Sequence, residues 1–332
     1  MRRALARLGL ALLLLGALFG ALALHDRPPV APGSWLAAAS LEARHETIGG
    51  HRIRYVRAGA GPAVVLVHGF GSSLYTWKDV IPALAVAHDV VALDLPGFGQ
   101  SDQPADLSFE DFPRAVLGLM DRLGIERAAL VGNSMGGATV AVVAAEHPHR
   151  VSALVLVDAA GFNLGPSERP RMVSVAMSRA GALLARLPGK RLVVEASLRQ
   201  VFHDAAHVTP ERVSEYLAAA RRPGTFPAIR SLGTSTGDRQ AVVAQALPRV
   251  QAPTLVVWGD DDRWIPIAHA DRFVAAIPGA RKVVIPACGH VPQEEKPGEV
   301  SRLLLDFLAT ASVTAEGRSS GAPARGGEAP PK

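Results

Sequence analysis

Cysteine is nearly absent. Cys288 is the single cysteine in 332 residues, which excludes an intramolecular disulfide framework and any zinc cage built from several thiolates. Aromatic residues make up 5% of the chain, too few to supply base-stacking platforms. A Lys-rich run is also missing. The formal charge is +5 and the isoelectric point is near 9.8, but Arg2, Arg3 and Arg7 carry much of that excess and the remaining basic residues are interleaved with Asp and Glu. No nucleic-acid partner is expected from that distribution. What the chain has is apolar content: 48% hydrophobic residues, with Gly 32 and Pro 25 as punctuation, enough for a full-sized core in one large α/β domain with an insertion or in two domains.

Neither end reads as part of the packed fold. Behind the three arginines, Leu8 to Leu24 is uncharged and almost wholly Leu, Ala and Gly, and it stops at His25, Asp26, Arg27, Pro28 and Pro29. Its length lies between a signal-peptide core and a spanning helix, so residues 1–28 are expected to be a signal or membrane-anchor segment. The basic start stays cytoplasmic and the rest is exported. The catalytic domain is then anchored on the non-cytoplasmic side, or periplasmic or secreted if Ala21-Leu22-Ala23 is cleaved. Residues 312–332, rich in Ser, Gly, Ala and Pro, read as a disordered tail.

Between the ends, short apolar β-branched runs alternate with helical segments: Val64 to Val67, Val90 to Leu93, Ala129 to Val131, Leu154 to Val157, Leu255 to Trp258 and Lys282 to Ile285. Continuous rather than alternating apolar runs belong to strands covered on both faces. The pattern predicts a doubly wound, mostly parallel sheet, with Glu46 to Ile48 and Arg52 to Arg57 as an antiparallel hairpin at its edge. The rhythm breaks over residues 161–237, where prolines separate helix-like pieces. This segment is expected to be an inserted helical cap between core portions 40–160 and 238–311, lying over the carboxyl ends of the strands. Met172, Val173, Val175, Ala176, Met177, Leu183, Leu184 and Leu187 would form its apolar underside.

The chemistry starts at Gly132-Asn133-Ser134-Met135-Gly136, a GxSxG sequence placed between a strand and a helix. A serine on so tight a turn needs glycine two residues to either side for space, and the turn then projects Oγ upward. Ser134 is therefore the candidate nucleophile. It needs a base, and the base needs a carboxylate to fix its tautomer. His290, in a loop between a late strand and the last helix, is the candidate base. Asp260, Asp261 and Asp262 follow a strand, and Asp158 at the end of an earlier strand is a further candidate.

These features together resemble the α/β-hydrolase fold family over roughly Glu42 to Thr310. His68-Gly69-Phe70-Gly71 is similar to the family's oxyanion loop, Asp94 to Ser101 to its next strand-end turn, Ser134 to its nucleophile elbow, and Gly259 to Pro266 to its acid loop. The resemblance implies Asp262 as the acid, and the backbone N–H groups of Phe70 and Met135 as the oxyanion hole. His68 and Asp94 would shape loops. It also implies a serine hydrolase without metal or organic cofactor. The expected reaction is cleavage of apolar carboxylic esters, as by an esterase or lipase, through an acyl-enzyme. The alternatives are a carbon–carbon bond hydrolase similar to the meta-cleavage product hydrolases, which the run Asn133 to Thr139 resembles, and a ligand-binding receptor on the same fold. His203 and His207 read as solvated cap histidines and Cys288 as small packing.

Overall fold

The computed structural model describes residues 2–165, 168, 187–234 and 236–319. Among them, eight strands form one sheet: β1 (Arg44–Ile48), β2 (His51–Ala58), β3 (Ala63–Val67), β4 (Asp89–Leu93), β5 (Ala128–Asn133), β6 (Val151–Val157), β7 (Thr254–Gly259) and β8 (Arg281–Ile285). Their spatial order is β1-β2-β4-β3-β5-β6-β7-β8. The β1–β2 and β2–β4 pairs are antiparallel, and every pair from β4 across to β8 is parallel. This is the expected doubly wound, mostly parallel sheet with a hairpin at one edge.

The helices are α1 (Arg2–His25), α2 (Ser34–Ala38), α3 (Ile81–Leu84), α4 (Asp111–Arg122), α5 (Met135–Glu146), α6 (Lys190–Val201), α7 (Pro210–Ala220), α8 (Thr225–Thr234), α9 (Thr236–Ala246), α10 (Ala268–Ala276), α11 (Pro292–Glu295) and α12 (Pro297–Ser319). Strand side chains alternate between two cores. Val65, Val67, Leu130, Leu154, Leu156 and Trp258 pack with α4, α5 and α9 on one face. Val64, Leu66, Val131, Val155 and Val257 pack with Ile81 and Leu84 of α3 and with Val300, Leu304, Phe307 and Leu308 of α12 on the other. With both faces covered, the strands need no polar side, which is why their sequences are continuously apolar. Helix α5 is buried from Met135 to Ala145 because it lies between the sheet and other helices, so it carries no polar stripe.

The ends differ from expectation. The foot of the N-terminal segment is part of the fold: Asp26 is buried, and its carboxylate accepts the N–H groups of Gly189 (2.8 Å) and Arg191 (2.9 Å) at the start of α6. Arg221 donates to the Asp26 carbonyl, and Val30 and Gly33 donate to Ser214 and Glu215 of α7. Trp35 is buried edge-on against Tyr75. Among the described residues no helix is long and apolar enough to cross a membrane. The last helix continues past the expected boundary at Ser312 to Ser319.

After β6 the described residues up to β7 are helical or irregular, with no strand. Helix α9 begins at Thr236, ahead of the expected return to the core at 238, and its Val243 and Ala246 join the core beside α5. Of the residues expected to form the cap's underside, Met172, Val173, Val175, Ala176, Met177, Leu183 and Leu184 lie outside the described residues. Leu187 is exposed; among the described residues Val194, Leu198 and Val201 of α6 and Tyr216 and Ala220 of α7 line the space over Ser134.

Candidate active site

Ser134 sits between the last residue of β5 and the first of α5, with φ 53° and ψ −116°. That positive φ is strained for a residue with a side chain, and the surroundings hold it. Its N–H donates to the Val157 carbonyl (2.9 Å) and its carbonyl accepts the Ala160 N–H (2.9 Å), so the turn after β6 grips it from both sides. The flanking glycines answer to space. A Cβ on Gly132 would strike the Gly136 carbonyl, one on Gly136 the carbonyls of Val67 and His68, and one on Gly137 the Ala159 methyl. The glycines thus leave the room in which β5 turns into α5 against its neighbours.

Asp262 and His290 are brought together as expected. His290 Nδ1 donates to Asp262 Oδ2 over 2.7 Å, with both residues buried. The other carboxylate oxygen, Oδ1, accepts the N–H groups of Trp264 (2.7 Å) and Ile265 (2.9 Å), which fixes the carboxylate plane. The Trp264 ring stacks on the imidazole, centroids 5.6 Å apart at 24°. The His290 loop is held by Asn133, whose Nδ2 donates to the His290 carbonyl (3.1 Å) and to that of Val157 (3.1 Å). It is also held by Glu295, which accepts the Gly289 N–H (2.7 Å).

Phe70 lines the same cavity as Ser134 and His290, and Met135 is the first residue of α5, where an N–H has no partner within the helix. His68 is fully buried. Its Nδ1 donates to the Gly69 carbonyl (2.7 Å) while Nε2 accepts the Leu95 N–H (3.0 Å), and burial holds its pKa below the ordinary value. Both ring nitrogens are occupied by loop-shaping bonds. Asp94 likewise accepts the N–H groups of Leu74 (2.7 Å) and Gln100 (2.8 Å) and pairs with Arg54.

Above Ser134 lies a cavity of about 170 Å³. Its floor is Gly69, Phe70, Ser134 and His290; its walls are Val193, Val194, Leu198 and Val201 of α6, Tyr216 and Ala220 of α7, and Trp264 and Val291. Among the described residues no Lys, Arg, Asp or Glu lines it. The Tyr216 hydroxyl is turned to Glu294 (2.5 Å) and Ser72 (3.3 Å). Burial and the nearby Glu294 charge push its pKa well up, keeping it a neutral phenol.

Sequence reasoning missed these wall residues, although Val194, Leu198 and Val201 recur at helical spacing and marked an apolar face. His203 is exposed, as expected, and its Nδ1 bonds the Asp261 carboxylate at 2.8 Å; His207 is half-buried and stacks on Phe202. Cys288 is fully buried in the core, where burial pushes its thiol pKa well up. Asp158, the further acid candidate, is buried at the end of β6 with φ 44°. One oxygen of each of Asp158 and Asp262 and a ring nitrogen of His290 lie within 4.8 Å of one another. The acid that bonds the imidazole is Asp262.

Comparison with known proteins agrees with this architecture. Residues 62–297 match the family model described as alpha/beta hydrolase fold. The chain is 36% identical to a dihydrolipoyllysine-residue acetyltransferase component of the acetoin cleaving system from Pseudomonas putida, over 79% of this chain and 68% of the relative. It is 35% identical to a 2-hydroxy-6-oxo-6-phenylhexa-2,4-dienoate hydrolase from Comamonas testosteroni, over 77% of this chain and 91% of the relative. Among solved structures, a membrane phospholipase A described as a bacterial virulence factor is 28% identical, with a TM-score of 0.64 over 94% of this chain and 99% of that one. A strand-turn-helix elbow bearing Ser134, the His68–Gly71 loop after β3 and an Asp–His pair after β7 and β8, set on this sheet order and matched by the family model over residues 62–297, make the chain a member of the alpha/beta hydrolase fold family.

Proposed function

We propose that the protein is a serine hydrolase of apolar carboxylic esters, esterase- or lipase-like, acting through Ser134, His290 and Asp262. The observation that carries this reading is the cavity over Ser134, walled by aliphatic side chains and free of lining cations among the described residues. It suits an acyl chain, and among the described residues no Lys or Arg lines it to meet the carboxylate of a dienoate.

In this mechanism His290 takes the Ser134 proton as Oγ attacks the ester carbonyl. Asp262 fixes the Nδ1–H tautomer and stabilises the imidazolium. The N–H groups of Phe70 and Met135 receive the developing oxyanion, an interaction whose loss typically costs about 100- to 1,000-fold. His290 then protonates the leaving alcohol, and water, activated by the same imidazole, releases the acid.

We also propose that the substrate is a lipid ester met at a membrane, with the domain exported and tethered by the N-terminal segment. Leu14, Leu15, Leu18, Phe19 and Leu24 of α1 are exposed. The foot of that helix is bonded to the cap helices α6 and α7, which wall the cavity. The likeness to the membrane phospholipase A, which spans 94% of this chain, supports the same reading.

The test is hydrolysis of p-nitrophenyl esters of graded acyl length and of a phospholipid by the full chain in detergent, beside Ser134→Ala. Activity in the wild type and a loss of about a million-fold in the variant is the expected result. Equal activity in both would remove Ser134 from the mechanism. The second reading, carbon–carbon hydrolysis, draws on the dienoate hydrolase relative; turnover of a 2-hydroxy-6-oxo-dienoate with inert esters would establish it instead.

A further inference from the structure

Two carboxylates meet behind the His290 ring, and only one of them is used in the mechanism above. Asp262 lies on the loop after β7 and Asp158 on the turn after β6; the parallel β6–β7 pairing, with Val157 opposite Val257, sets those two turns side by side. Asp158 has no solvent exposure. Its N–H donates to the Val257 carbonyl (3.0 Å), and its Oδ1 accepts the Gly259 N–H (3.0 Å). Its other oxygen, Oδ2, is buried with no hydrogen-bond partner.

That orphan oxygen is the informative one. A buried carboxylate with a bare oxygen beside a second carboxylate is strongly unfavourable, because desolvation and like-charge repulsion both oppose ionisation. A carboxylic acid in the same place has a hydroxyl to give. Asp262 has room to accept it: an ionised carboxylate offers about four acceptor positions, and three are taken by His290, Trp264 and Ile265. The titratable groups facing Asp158 are Asp262 and Glu295, both acidic, the buried Cys288 thiol, and the His290 ring, one nitrogen of which lies within 4.8 Å; among the described residues no Lys or Arg forms an ion pair with it. Burial first, and then the Asp262 charge, push its ionisation well above the usual carboxylate range.

We propose that Asp158 is held as a neutral carboxylic acid that donates a hydrogen bond from Oδ2 to the Asp262 carboxylate, and so acts as a positioning residue for the triad acid. The bond does two things. It joins the turn that grips Ser134, through Val157 and Ala160, to the loop that carries Asp262. It also draws negative charge away from the Asp262 oxygens, weakening their hold on an imidazolium, so that His290 is free to act as a base at lower pH. No atom of Asp158 lines the cavity, so it acts only through Asp262. The inference rests on the triad reading of Asp262 and His290.

The test has one arm that needs no turnover. Infrared difference spectra of wild type minus Asp158→Asn at neutral pH should show the carbonyl band of a protonated carboxylic acid, shifting in D₂O. A pair of carboxylate bands there instead would overturn the proposal whether or not Ser134 is the nucleophile. The kinetic arm uses the pH dependence of kcat/KM. Asn supplies an N–H donor and a carbonyl acceptor in the same shape and tolerates positive φ, so Asp158→Asn should keep the acid limb within about 0.2 pH units and rescue most activity. Asp158→Ala should move that limb upward by about half a unit or more, the size expected for one lost hydrogen bond to a charged group. A downward shift in Asp158→Asn means a negative charge was removed and overturns the proposal. An unmoved limb in folded Asp158→Ala assigns the residue to packing alone and overturns it as well.

Discussion

The main-chain N–H of His290 donates to the carbonyl of Val201, 2.7 Å away. Val201 ends α6 and also walls the cavity, so that helix and the His290 loop are one hydrogen-bonded unit. Movements of α6 are therefore felt at His290, and the side chains that hold this junction are testable.

Glu295 is the strongest of them. It is buried and accepts the N–H groups of Gly289 (2.7 Å), His203 (3.1 Å) and Asp204 (2.8 Å). Glu295→Ala leaves these donors unpaired at about 1–3 kcal/mol each where they stay buried. The expected result is a stability loss of about 3 kcal/mol or more by urea unfolding, with kcat reduced because the His290 loop loosens. Glu295→Gln should recover part of both.

Asp262→Asn keeps the shape and one carbonyl oxygen for the Trp264 and Ile265 N–H groups, but it can present an N–H to His290 and so select the wrong tautomer. Turnover should fall by about 10,000-fold, with little change in the melting temperature. A loss below about tenfold would mean that another carboxylate serves His290.

The cavity over Ser134 has a volume of about 170 Å³, close to the roughly 150 Å³ that accommodates benzene, or about six carbon atoms. Ester hydrolysis should therefore peak at acyl chains of about four to six carbons, with longer chains running out past α6. Val194→Phe fills the wall and should shorten the optimum. Losing burial for about three methylenes at about 0.8 kcal/mol each corresponds to about fifty-fold in kcat/KM on the longest substrate that fits.

Acid should destabilise the fold through His68. Its ring is buried with both nitrogens used, and its folded-state pKa lies below the ordinary 6.5 because burial penalises the charged form. The unfolded chain therefore takes up a proton as pH falls through 6.5 while the folded chain does not. Stability is full above that pH and declines below it until the folded ring protonates too. His269, depressed by burial and by Arg272, adds to the same window. Urea midpoints at about pH 7.5 and about pH 5.5 should show the decline, and His68→Gln should flatten it.

What the sequence by itself determined is what local geometry dictates. Gly132, Ser134 and Gly136 specify a strand-to-helix elbow within five residues, because a Cβ on Gly132 would strike the Gly136 carbonyl and one on Gly136 the carbonyls of Val67 and His68. Continuous β-branched runs specify strands buried on both faces, since a half-exposed strand would alternate. The alternation of strands and helices then specifies the parallel sheet, and with it the side on which Ser134, the acid loop and His290 emerge.

What only the tertiary structure decided is what depends on residues far apart in the chain. Asp26 and Gly189 lie 163 positions apart, and nothing in an apolar N-terminal helix announces that its foot caps a cap helix. The cavity walls come from α6 and α7, whose apolar stripe marks a buried face without saying what it faces. Asp158 and Asp262 are separated by a whole insertion, and their meeting follows from the β6–β7 register. A sequence records which side chains are available; the pairing of strands and the packing of α6 and α7 fix which of them meet in one buried environment.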